Sequence, residues 1–344
     1  MPESPNPPYR LPRQELWEDR AVTMAEVRGM IEDLDPLEHD AEITHLSLEV
    51  RTPPMFAHAA YASGTARGLI HPGEAAVGYR GGTGEQLLHP EHRDRDTLTF
   101  FGMFMRYGHR SRQVREVLDR VQQIHHDVRG VTNDTQLHVL GLLMTEPDRW
   151  VGSFGHRTYF TRNERLARYS FWRGIGEGMG LTGIWDDPDE VEPWVDAFEA
   201  KFGRPTNEAH QLWRGQVDGF RVWFPRRSQR LAAAYLGAGL TDKTRECVGA
   251  EPRSAMAHRT LRAGIQAYLT GEPKLRTNLS RTWVGSFSRF GAQPDIHTIG
   301  YQHDVAADPR YLRAGAPEDG YTFTVADGVR SKCPVSAHHQ EESA

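Results

Sequence analysis

The chain has 344 residues, a net charge of -5, and 38% hydrophobic against 25% charged positions. That balance supports a sizeable buried core and excludes wholesale disorder. A pI near 6.4 lacks the basic footprint of a nucleic-acid-binding protein, and a mean hydropathy of -0.61 with no long apolar run excludes a membrane span.

Residues 1–18 hold five prolines within the first fifteen positions and show no basic start followed by an apolar core. They read as an irregular arm without a secretory signal, so a cytoplasmic location is expected. Over 19–35 the pattern predicts one amphipathic helix, stopped by Pro36. Residues 53–92 mix proline, glycine and histidine around a short helical stretch at 56–66. The glycine-rich run at 78–82 reads as a loop and lacks the strand and lysine of a phosphate cradle. After Pro90, Thr97, Phe100, Phe101 and Phe104 recur at helical spacing. Val114, Val117, Leu118, Val121, Ile124 and Val128 do so on a second helix that Gly130 closes. Glu146-Pro147-Asp148 predicts a helix start with proline in the first turn. Three more helices are expected near 163–181, 206–223 and 253–270. No sustained alternation builds a large sheet, although 321–325 allows a short strand. The expectation is an all-α protein with one helical domain over 19–290 and a loop-rich extension over 291–344. The two cysteines, Cys247 and Cys333, are too few for a disulfide scaffold or a zinc ribbon.

Of the 17 histidines, most are scattered without metal-ligand spacing. His125 is different. With Val114 as origin and ~100° per residue, His125 lands at about 20°, inside the apolar stripe, whereas its neighbour His126 lands near 120° and faces the edge or solvent. An inward histidine has two readings: a core residue hydrogen-bonded to a carbonyl or carboxylate, or a neutral imidazole offered to a metal or haem iron. His125 and Asp127 also form an H-x-D string, but residues two apart on a helix point ~200° from each other and do not chelate one metal. On the preceding helix Arg93 and Thr97 stack on one face with Phe100 and Phe104. An arginine there suits a buried carboxylate, and the threonine hydroxyl could donate toward a bound ligand. The bland alternative is an ordinary first turn with a solvated arginine.

Together these residues resemble the superfamily of rubber oxygenases and MpaB-type oxygenases. The likeness lies in an order: His71-Pro72; Arg93 with Thr97 four residues on; an aromatic helix ending at Gly108; Ile124-His125-His126-Asp127-Val128-Arg129-Gly130; Glu146-Pro147-Asp148 leading to Trp150; and Glu177-Gly178-Met179-Gly180-Leu181. It extends over about residues 45–270. The resemblance implies a globin-like helical core that binds haem b, with His125 as the proximal iron ligand and Arg93 and Thr97 as the catalytic pair beside the haem. Phe100, Val121 and Trp150 would be further cofactor contacts. Rubber oxygenases carry a lysine just before the threonine, where this chain has Asp96.

The function this implies is a haem b-dependent oxygenase that activates dioxygen, or peroxide, on a small apolar or biosynthetic substrate. A haem-binding sensor or carrier is the alternative, and it would need a second ligand from loop residues such as His71, His89 or His92. A helical protein without a cofactor is the third reading.

Overall fold

The computed structural model describes residues 12–300. Helix starts follow local capping chemistry. Thr23 and Glu26 form a reciprocal capping box at α1 (Met24–Glu32). Helix α2 (Asp40–Thr44) runs into a π-helical stretch, His45–Arg51. Then come α3 (Pro54–Gly68), α4 (Pro72–Tyr79), the short α5 (Glu85–Leu88) and α6 (Pro90–Tyr107). Ser111 caps α7 (Arg112–Asp127), and Thr132 with Thr135 caps α8 (Asn133–Ser153). Thr161 and Glu164 cap α9 (Arg162–Gly178) in the same way. The remaining helices are α10 (Val191–Phe202), α11 (Asn207–Arg221), α12 (Ala232–Ala238), α13 (Asp242–Val248), α14 (Ala255–Gly271) and α15 (Trp283–Phe287). The all-α class is therefore correct, and among the described residues no helix is long and apolar enough to cross a membrane.

Two local expectations fail for a tertiary reason, and the run at 78–82, read as a loop, carries the end of α4 and a 3-10 turn at Arg80–Gly82. The helix predicted over 19–35 begins only at Met24, because Ala21–Thr23 forms a strand, β1, antiparallel to β2 (Arg276–Asn278). That partner lies some 250 positions away and leaves no trace in the local pattern. The helix start predicted at Glu146-Pro147-Asp148 is instead the interior of α8. Proline cannot donate to the Leu143 carbonyl four residues back and crowds it, and two neighbouring carbonyls of the same stretch take side-chain donors. Arg168 Nε donates to the Met144 carbonyl at 2.8 Å, and the Thr145 hydroxyl to the Gly141 carbonyl at 2.8 Å. The strand at 321–325, along with Cys333, His303, His338 and His339, lies outside the described residues.

Helix α3 lies along α8, α2 along α9, and α15 against α6. The last of these contacts needs Gly102, because a Cβ there would sit 2.7 Å from the Val284 nitrogen. Buried charge joins the ends of the chain to the middle. Arg51, 1% exposed, pairs with Glu164 at 2.5 Å and Glu272 at 2.8 Å, and lies 4.2 Å over the Tyr159 ring. These partners raise its pKa further, although burial alone would lower it. From α15 the chain crosses α6 again. Arg289 clamps Asp96 with two bonds of 3.0 and 2.9 Å, Ile299 is fully buried, and the Gly300 nitrogen donates to Asp96 at 3.0 Å.

Candidate active site

A cavity of about 440 Å³ lies beside α3 and α8 and reaches α6, α7 and α9, within the ~300–1,000 Å³ range of small-molecule and cofactor pockets. Its length comes from one face of α3. Phe56, Ala57, Ala60, Tyr61, Gly64 and Gly68 recur at helical spacing along the wall, and twelve residues of helix span about 18 Å. Four of these six are alanine or glycine, so little side-chain volume projects into the space between the helices. The facing wall is a stripe of α8 that includes Gln136, Leu140, Leu143, Pro147 and Trp150.

All six sequence-derived site residues, Arg93, Thr97, Phe100, Val121, His125 and Trp150, line this cavity. Helix α7 is strongly amphipathic, and its apolar face turns His125 inward while His126 keeps 72% of its side chain exposed. The His125 Nδ1 is 3.0 Å from the Gln136 amide oxygen. Burial lowers the pKa of His125; the Gln136 bond opposes this and the nearby Arg93 charge adds to it. The ring is therefore neutral, and with Nδ1 engaged the free lone pair resides on Nε2.

Arg93 is exposed at the cavity edge and makes no ion pair among the described residues. Thr97 differs from expectation in one respect. Its hydroxyl donates to the Arg93 carbonyl at 2.9 Å, so it presents lone pairs rather than a proton to its other neighbours. Asp96 also lines the cavity, but its carboxylate is occupied by Arg289 and Gly300. Gly300 completes the wall. Its φ of +76° suits glycine, and a Cβ there would lie 2.7 Å from Ile124 Cδ1.

The three histidines considered as second ligands are placed otherwise. His71 caps α4, where its Nδ1 accepts from the Gly73 and Glu74 nitrogens; burial, then the charges of His138 and Arg204, push its pKa down to about 4. His89 joins α5 to α6 at the N-cap position without a side-chain cap bond, and His92 lies within α6 rather than in a loop; their rings stack at 5.5 Å. None of the three lines the cavity.

Sequence reasoning missed a charged wall beside the apolar slot. His138 read as a scattered histidine; it is fully buried between Glu74 at 2.9 Å and Glu199 at 3.2 Å. Burial opposes its charge, but the two carboxylates outweigh burial and hold its pKa up at about 9. Arg67 links Glu199 at 2.8 Å to Glu146 at 3.1 Å, and Arg149 also binds Glu146. Glu74 and Glu146 reach the cavity. Burial lifts the pKa of Glu74 despite His138, whereas Arg149 and Arg67 overcome burial at Glu146 and lower it. The one sequence signal was position: Glu74 follows His71-Pro72, and His138 lies two residues beyond Gln136 on α8.

A neutral imidazole with one free nitrogen, an apolar slot and an unpaired cation at its rim form a donor set that suits an iron porphyrin with carboxylate side arms. Among the described residues no cluster of three or more histidine, cysteine or acidic side chains has metal-site geometry, so the donor set does not resemble an all-protein metal cage. The family model described as "ER-bound oxygenase mpaB/B'/Rubber oxygenase, catalytic domain" matches residues 49–269, which include every cavity-lining residue named above except Gly300. No curated protein matches the chain.

Proposed function

The chain belongs to the mpaB and rubber oxygenase family, and we propose that it is a haem b-dependent oxygenase in which His125 holds the iron. The observation that carries this reading is the His125 ring, neutral, on the wall of an apolar cavity, with Nδ1 bonded to Gln136 and Nε2 left to coordinate. Haem, when bound, supplies the activation of dioxygen or peroxide.

The chain's own residues do the rest. Phe100, Val121 and Trp150 pack against the macrocycle and keep water from its faces. Arg93, with no carboxylate of its own among the described residues, would anchor a propionate at the rim. Thr97, its proton spent on the helix backbone, would accept a hydrogen bond from bound substrate. Asp96 stands where rubber oxygenases place a lysine, and its ties to Arg289 and Gly300 remove it as a mobile group near the iron. The lining is mostly aliphatic and aromatic, so the substrate is small and apolar, or a biosynthetic intermediate with an apolar part.

The test is spectroscopic. Protein expressed with ample haem should show a Soret band. His125→Ala should lose it and His126→Ala should keep it. The opposite pattern would overturn the assignment. Rapid carbon monoxide binding by the ferrous protein separates an open catalytic site from a carrier closed by a second ligand. His125 is the sole histidine on the cavity wall among the described residues, which favours the open form.

A further inference from the structure

His45, His58, His109 and His138 each meet a carboxylate, from Glu49, Asp94, Asp40 and the pair Glu74 and Glu199 respectively. His125 does not. Its Nδ1 meets the side-chain amide of Gln136, eleven residues on and on the next helix. The direction of that amide is set by its other end, where Gln136 Nε2 faces the Thr132 carbonyl at 3.4 Å. Thr132 is itself held by the capping box with Thr135. The amide oxygen therefore points at the ring, and an oxygen can only accept, so the proton resides on Nδ1. A carboxylate in that place would pull on the same proton and give the ring imidazolate character; a neutral amide fixes the ring without that charge.

We infer that Gln136 is a positioning residue for the haem ligand. It selects the Nδ1–H tautomer of His125 and fixes the ring plane, and because it is uncharged it limits the electron density the ring passes to iron. The inference rests on the reading of His125 as ligand. It adds a residue that acts through His125 and sets a property of the site that the ligand alone does not.

Two variants separate the parts of this claim. Gln136→Leu keeps bulk and removes the acceptor; Gln136→Glu keeps the acceptor and adds charge. In the haem-free protein, nitrogen-15 histidine spectra, assigned by comparison with His125→Ala, should show a single Nδ1–H tautomer for His125 in the wild type; in Gln136→Glu the carboxylate keeps the proton on Nδ1 and favours the doubly protonated ring. Gln136→Leu should show exchange between tautomers. With haem, Gln136→Leu should retain it about 10–100-fold less tightly. Gln136→Glu should retain it, with a more negative iron reduction potential and a higher iron–histidine stretching frequency. A Leu variant with the wild-type tautomer overturns the inference, as does a Glu variant whose potential and stretching frequency match the wild type. If the wild type takes up no haem, the ligand reading falls, and with it the electronic part of the inference, while the tautomer comparison still decides whether Gln136 positions the ring.

Discussion

His138 should give the protein a stability that declines as pH rises from about 6 to about 9. Its ring is fully buried, and both nitrogens face carboxylates at 2.9 and 3.2 Å. In the folded chain its pKa stands at about 9 against an ordinary value of 6.5. Because the folded value is the higher one, its contribution is complete below the unfolded pKa and is lost as pH climbs through the folded one. A gap of about 2.5 units is worth roughly 3 kcal/mol. The perturbation is His138→Gln, which keeps hydrogen-bonding groups and removes the charge. Urea unfolding of wild type and variant, both without haem, is measured at several pH values across the window. The variant should be the less stable at pH 6, and the two should converge by roughly 3 kcal/mol as pH approaches 9. Parallel curves, with a constant gap, would refute the reasoning, since they would mean that no proton is released at this position within the window. The same variant removes one of the charges that depress His71. His71, held at about 4, acts in the opposite direction, and stability falls as pH drops from 6.5 toward 4. That acid limb should become shallower in His138→Gln.

Other consequences follow from the same structure. Arg51→Met leaves the buried carboxylate of Glu164 without its cation, while Glu272 keeps Arg28, and should cost about 3–5 kcal/mol in denaturant unfolding; a loss below about 1 kcal/mol would show that water reaches Glu164. Ala60→Phe places a ring in the cavity from the α3 wall. It should reduce haem uptake sharply while leaving the melting temperature of the haem-free protein unchanged or raised, whereas normal uptake would locate the cofactor elsewhere.

Much of the cavity was legible because its walls are helices and a helix repeats locally. The α7 stripe by itself separates His125 from His126, and the four-residue spacing of Arg93 and Thr97 sets both on one face of α6. The cavity's room was legible in principle too, from Ala57, Ala60, Gly64 and Gly68 recurring at helical spacing, although nothing in α3 alone says what lies opposite.

The sequence by itself determined the all-α class and the apolar side of long helices such as α6 and α7, since those depend on groups within about a turn of one another. Only the tertiary structure decided which polar groups meet. Gln136 reaches His125 from another helix, Glu74 and Glu199 close on His138 from 64 and 61 residues away, and Arg168 reaches the Met144 carbonyl of α8 from 24 residues on. The physical reason is range. Backbone periodicity acts between neighbours, whereas a buried charge must find its partner wherever packing places one.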